Sequence, residues 1–419
     1  MLDRTVAPPS RLIDQISFAP YTRVKLGGST PCIQIIDTSQ PVVIVELIFR
    51  SGRVAERVPG VSWYASKLTL EGTKHRDSQE LSTAIESLGS FLDISAGLDH
   101  VTFKLYALKK NISESLTLLE EVLTQPTFPE EGFLLQKEIR SRNIENILAR
   151  NSQYANLAVS EKLFGPEHPY GRILTPGHVR QVKLDDVRNH FQTRLFTEPK
   201  VLLCGDFDHQ VIRKLEDILS KLTAEEQIDT VALTNLTSGK FREDRQESTQ
   251  ASIRLASCTI DKQHPDIHDF MIANALLGGF FGSRLMKKIR EEKGLTYGIY
   301  SMVSHMQEKA AWQINAEVQK EKAEEALEAI YAEINLLKKE APSQQELNTL
   351  KNYLFGKIQS SMDSLFSIAS MYKSLLIDNI EVDFIESYVE DIKKIQPGRI
   401  SEMIENYVGE VEKVELIIS

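Results

Sequence analysis

Val101-Thr-Phe-Lys-Leu-Tyr-Ala-Leu reads as a β-strand, and a helical spacing of apolar residues takes over from Ile112. The same change of period recurs later in the chain. Trp312-Gln-Ile-Asn-Ala-Glu-Val predicts a strand, and Lys322-Ala-Glu-Glu-Ala-Leu-Glu-Ala-Ile predicts the helix after it. An offset of 211 residues carries Leu116 onto Leu327. Pro129-Glu-Glu-Gly-Phe opens one long helix, and Pro342-Ser-Gln-Gln-Glu-Leu opens its counterpart. Both halves close alike. Asp186-Val-Arg-Asn-His-Phe leads to the strand Val201-Leu-Leu-Cys, and Gly398-Arg-Ile-Ser-Glu-Met leads to Val414-Glu-Leu-Ile-Ile.

A period this long exceeds the roughly 20–50 residues of a solenoid repeat and indicates duplicated domains. The boundaries predicted are residues 1–222, a linker at 223–250, and residues 251–419. The linker is rich in Glu, Asp, Thr, Ser and Lys and has room for one short strand. Hairpin-like strand pairs followed by long amphipathic helices predict an α+β fold in each half, with helices packed on a largely antiparallel sheet. Two such halves make a clamshell.

Composition narrows the function. The 419 residues carry 49 basic and 59 acidic side chains, a net charge of −10. That leaves no electrostatic footprint for nucleic-acid phosphate or an anionic membrane. Cys32, Cys204 and Cys258 are far apart, which excludes a disulfide framework and any Cys-x-x-Cys motif. A reducing, cytoplasmic setting is expected. Met1–Pro20 contains Asp3, Pro8, Pro9 and Asp14 and has no apolar core of the kind a secretory signal needs. No stretch approaches the roughly 18 apolar residues of a transmembrane helix.

Candidate chemistry is sparse. His-Glu-x-x-His, His-x-x-Glu-His, Gly-x-Ser-x-Gly and the phosphate-binding Gly-Lys loop are all absent. His264 and His268 have the i,i+4 spacing of a zinc pair, but Pro265 and Asp266 between them mark a helix start carrying exposed histidines. Gly278-Gly279-Phe280-Phe281-Gly282-Ser283 lacks the Lys-Ser/Thr of a phosphate loop and is expected to be a hinge or turn. Asp206 and Asp208 follow a strand and precede a helix, where turn and N-cap duty is expected.

Two segments go further. Gly60-Val-Ser-Trp-Tyr-Ala-Ser-Lys-Leu-Thr-Leu-Glu-Gly-Thr-Lys, with Ile85-Glu-Ser-Leu-Gly-Ser after it, resembles the pitrilysin/insulinase family of zinc metallopeptidases. Mitochondrial processing peptidase and its bacterial relatives belong to that family. Ser283-Arg-Leu-Met-Lys-Lys-Ile-Arg-Glu-Glu-Lys-Gly-Leu-Thr-Tyr-Gly-Ile-Tyr resembles the signature of its C-terminal half. The resemblance extends over essentially the whole chain.

The catalytic motif is degenerate. Trp63 and Lys67 stand at the two histidine positions, Ser66 stands at the general-base glutamate, and the family spacing puts the third ligand on Asn143, with Glu145 nearby. Trp63 offers only an N–H donor, Lys67 an ammonium, and Ser66 no base for a metal-bound water. The resemblance therefore implies no zinc and no peptidase activity in the isolated chain. It also implies that Arg290 and Tyr297, seven residues apart, contact substrate backbone and an oxyanion across a cleft. The expected role is a non-catalytic subunit of a heteromeric zinc metallopeptidase. Zinc would reside in a homologous partner with His-x-x-Glu-His intact, and an extended peptide would be the substrate. The alternative is an inactive scaffold or a peptide-binding homo-oligomer.

Overall fold

The computed structural model describes residues 16–228, 238–245 and 248–419. Residues 1–15, and part of the predicted linker, lie outside the described residues. The first half contains strands β1 (Thr22–Leu26), β2 (Thr30–Ile36), β3 (Val42–Phe49), β4 (Phe91–Ala96), β5 (Val101–Leu108) and β6 (Lys200–Gly205). Its helices are α1 (Val61–Lys67), α2 (Ser78–Ser87), α3 (Ile112–Thr124), α4 (Glu130–Ala149), α5 (Asn151–Phe164), α6 (Pro176–Gln181), α7 (Leu184–Thr193) and α8 (His209–Lys221). The second half contains β7 (Gly239–Glu243), β8 (Gln250–Thr259), β9 (Thr296–His305), β10 (Ala310–Gln319) and β11 (Val414–Ile418). Its helices are α9 (Ile267–Asn274), α10 (Ala323–Lys339), α11 (Gln344–Ser360), α12 (Leu365–Asp378), α13 (Asp383–Lys394) and α14 (Pro397–Ile404).

The duplication shows in the sheets. One runs β1-β2-β6-β3-β5-β4 and the other β7-β11-β8-β10-β9. Without edge strand β1, the two orders superimpose element by element. Each sheet has one parallel pair, β2 with β6 and β7 with β11, in an otherwise antiparallel arrangement. The expected two α/β-layer halves of a clamshell are thus observed. Strand β7, the counterpart of β2, falls inside the 223–250 stretch.

Both faces of each sheet are covered, which explains why β3 reads Val-Val-Ile-Val-Glu-Leu-Ile-Phe with little alternation. One face of the first sheet packs on α3 and α8 through Leu116, Leu119, Leu215 and Ile218. The other face takes Leu365, Ala369, Tyr372, Leu375 and Leu376 of α12, a helix of the second half. The exchange is reciprocal. Ala155, Ala158, Val159 and Leu163 of α5 pack on Ala256, Leu416 and Ile418 of the second sheet. Both helices carry apolar residues at the i, i+3, i+4 spacing this requires. Each buried Leu or Tyr contributes about 1.5–3 kcal/mol. The half-exposed Arg23–Glu381 pair across the same seam contributes at most about 1 kcal/mol. Apolar burial therefore outweighs that exposed pair at the seam.

The helix starts follow the sequence. Ser343 accepts from the Glu346 N–H at 3.3 Å and Glu346 reaches back to the Ser343 N–H, a capping box behind Pro342. No helix among the described residues is long and apolar enough to cross a membrane.

Candidate functional site

Helix α1 begins at Gly60, whose φ of +88° lets the chain turn into it. Glu56 holds that turn. Its carboxylate accepts the N–H groups of Gly60 (2.7 Å) and Ser62 (3.2 Å) and the Ser62 hydroxyl (2.5 Å). Tyr64 faces inward and meets Phe133 of α4 edge-on at 5.7 Å. Trp63 is half-buried beside it. Ser66 is fully buried, and its hydroxyl donates to the Trp63 carbonyl at 3.1 Å instead of facing the surface. Lys67 reaches Asp93 on edge strand β4 at 3.9 Å.

The residue of α4 that meets Trp63 is Arg140, whose guanidinium lies 4.9 Å from the indole centroid. Asn143, one turn further on, is exposed, and Glu145 is exposed and touches Ser141 only at 3.5 Å. No hydrogen bond or ring contact joins Asn143 or Glu145 to Trp63, whereas Arg140 makes one. Burial lowers the Arg140 pKa, and the Arg53 guanidinium lowers it further. The Arg140 side chain makes no hydrogen bond or ion pair with any described residue.

In the second half, the π-helical segment Met286–Glu292 carries Arg290. Gly294 ends it at φ +62°, with its N–H on the Arg290 carbonyl (3.2 Å) and the Leu295 N–H on the Ile289 carbonyl (3.0 Å). Tyr297 then opens edge strand β9 and is 92% exposed. The Arg290 guanidinium lies 4.8 Å from the centroid of the exposed Phe281 ring. No hydrogen bond or ring contact joins Arg290 to Tyr297. Neither side chain has a polar partner among the described residues.

The remaining candidates have structural work. Gly278 lies against β9 so closely that a Cβ there would sit 2.7 Å from the Ser301 nitrogen. Asp208 caps α8 through the Gln210 N–H at 2.8 Å, and Asp206 pairs with Lys109 at 2.7 Å. His264 and His268 are half-buried, not exposed as expected. His268 bonds Asp391 at 2.7 Å and packs on Phe384 with ring centroids 4.4 Å apart. Cys32 and Cys204 are buried, and burial pushes both thiols up to about 12.

Comparison with known proteins gives these positions their context. Residues 33–176 match the family profile described as Insulinase (Peptidase family M16), and residues 183–354 match the Peptidase M16 inactive domain. The chain belongs to the M16 insulinase family. It is 22% identical over 379 residues to the Helicobacter pylori protein named Non-peptidase homolog YmxG, covering 87% of this chain and 86% of that one. It is 22% identical over 285 residues to human Cytochrome b-c1 complex subunit 1, mitochondrial, covering 63% and 57%. The structure of a peptidase M16 inactive domain from Pseudomonas fluorescens superimposes with a TM-score of 0.86 at 22% identity, covering 95% of this chain and 98% of that chain.

The M16 metal is zinc, and the residues at its place do not fit it. Trp63 and Lys67 have no lone pair to give, Ser66 is turned inward, and a guanidinium stands over Trp63. No group of three or more His, Cys, Asp or Glu able to hold a metal exists among the described residues.

Proposed function

We propose that this M16 homologue is the non-catalytic subunit of a heteromeric zinc metallopeptidase. Its partner would be a homologous chain with His-x-x-Glu-His intact and zinc bound. The observation that carries this reading is the state of Arg290 and Tyr297: two polar groups beside an open sheet edge, with no polar partner among the described residues. A guanidinium and a phenolic O–H set at an edge strand suit the backbone of an extended peptide and the charge that develops on its scissile carbonyl. The cytoplasm is the proposed location, on the sparse, unpaired cysteines alone.

A second reading is an inactive scaffold or a peptide-binding homo-oligomer. The relative named as a subunit of the cytochrome b-c1 complex favours it.

The test is substitution in the assembled complex. Arg290→Ala and Tyr297→Phe lower turnover by roughly 10²–10³ in kcat, the scale of losing one oxyanion donor, while the complex still assembles. Unchanged turnover in both variants refutes the role of the pair.

A further inference from the structure

The place where M16 enzymes hold a cation presents cations in this chain. The Arg140 guanidinium stands over Trp63 at 4.9 Å, and its N–H donors, unbonded to any described residue, are free for a carboxylate. Two more guanidiniums stand nearby. Arg53 repels Arg140, and Arg172 repels Arg53. Their hydrogen bonds go to carbonyls and not to carboxylates: Arg53 Nη1 to the Arg172 oxygen at 3.4 Å, and Arg172 Nη2 to the Glu167 oxygen at 2.7 Å. Other arginines of this acidic chain are neutralised. Arg50, Arg242, Arg254, Arg284 and Arg399 each hold at least one carboxylate within 3 Å.

Among the described residues, the carboxylate that acts on Arg53 and Arg140 is Glu56, and it is already committed. Glu56 accepts three hydrogen bonds from its own loop, and burial raises its pKa, which weakens it as a counter-ion. The cluster is thus short of negative charge in a half-buried setting, where an unpaired charge is costly and a bound anion relieves it. Helix α1 also adjoins an open sheet edge, since Lys67 links it to Asp93 of β4.

We propose that Arg140, seated over Trp63 and backed by Arg53, binds the carboxylate of a peptide lying along β4. The inverted metal site becomes an anion subsite. This rests on the peptide-binding reading above and names the peptide group recognised. The carboxylate is a chain terminus or an acidic side chain, and the two share one chemistry.

The test uses the full chain and three probes: N-acetyl-trialanine as the free acid, the same peptide as its C-terminal amide, and an N-acetyl-Glu-Ala-Ala amide. Binding is read by calorimetry and by emission of Trp63, since Trp312, the other of the two tryptophans, is buried. The free acid or the glutamate peptide binds at least about tenfold more tightly than the trialanine amide, and salt weakens it. Which of the two binds identifies the source of the carboxylate. Arg140→Gln removes the discrimination while circular dichroism and melting stay unchanged, and Arg140→Lys restores part of it. Equal affinity for acid and amide, no response to either carboxylate, or discrimination retained in Arg140→Gln overturns the subsite. The heteromeric reading is judged separately, by recovery of a catalytic partner.

Discussion

Glu46 and Arg254 occupy equivalent positions in the two sheets, and each is tied to a helix of the opposite half. Glu46 stands opposite Lys104 and Arg254 opposite Asn315, and the 211-residue offset carries Lys104 onto Asn315. Glu46 is 0% exposed and pairs with Lys104 at 2.9 Å and with Lys373 of α12 at 2.7 Å. Arg254 is 2% exposed. It donates to Asn156 Oδ1 and the Ser152 carbonyl of α5, each at 2.7 Å, and pairs with Glu317 at 2.7 Å. Opposite charges at one register position thus fasten the two exchanged helices.

Removing one partner of a buried ionic set leaves the rest uncompensated, at a cost of about 3–5 kcal/mol. Glu46→Ala and Arg254→Met are each expected to lower stability by that amount in urea titration. Because the two sites lie in different sheets, their effects should add to within about 0.5 kcal/mol. Losses below about 1 kcal/mol contradict the fastening role.

Acid should destabilise the fold before it titrates most carboxylates. Burial lowers His100, His190 and His305 from 6.5 to about 4. Between those values the unfolded chain binds more protons, so this stabilisation is complete above pH 6.5 and is lost as pH falls toward 4. Glu56 and Glu333, raised by burial, act with the opposite sign above the ordinary carboxylate range. At about 1.4 kcal/mol per unit per histidine, the three histidines together lose roughly 5–6 kcal/mol between pH 7 and pH 5, and the two glutamates reduce that loss. Equal urea midpoints at pH 7 and pH 5 would contradict it.

Gly278→Ala should unsettle the seat of β9. The new Cβ meets the Ser301 backbone nitrogen at 2.7 Å and its hydroxyl at 2.8 Å, and that hydroxyl bonds Asn274 Oδ1, which also takes the Trp312 N–H. Overpacking of this kind costs about 1–3 kcal/mol. A melting temperature equal to the parent's would show that the approach is looser than described.

Much of this was legible in the sequence. The duplication, the helix starts at Pro129 and Ser343, and the two family segments follow from local pattern. The exchange of α5 and α12 was not, because an apolar stripe reads the same whichever sheet it covers. His268 was expected to be exposed, since its partner Asp391 lies 123 residues away. Arg140 was missed because family spacing counts to Asn143, while the helix turns Arg140, three residues earlier, toward Trp63.

Restoring the motif should not restore the metal. With Trp63→His, Ser66→Glu and Lys67→His together, Arg140 still places a positive charge at the site, which opposes a dication. Stoichiometric zinc by elemental analysis is expected only when Arg140 is also replaced by an acidic residue, which removes the positive charge and supplies the third ligand that Asn143 does not. Zinc bound at full stoichiometry by the triple variant alone would show that Arg140 does not guard the site.

If this chain completes another chain's peptidase, affinity purification from the native cells, with every stoichiometric component identified and assayed for zinc and peptide cleavage, recovers one relative with His-x-x-Glu-His intact, and zinc and activity in the pair. Recovery of this chain alone, or only with copies of itself and inactive, would contradict it.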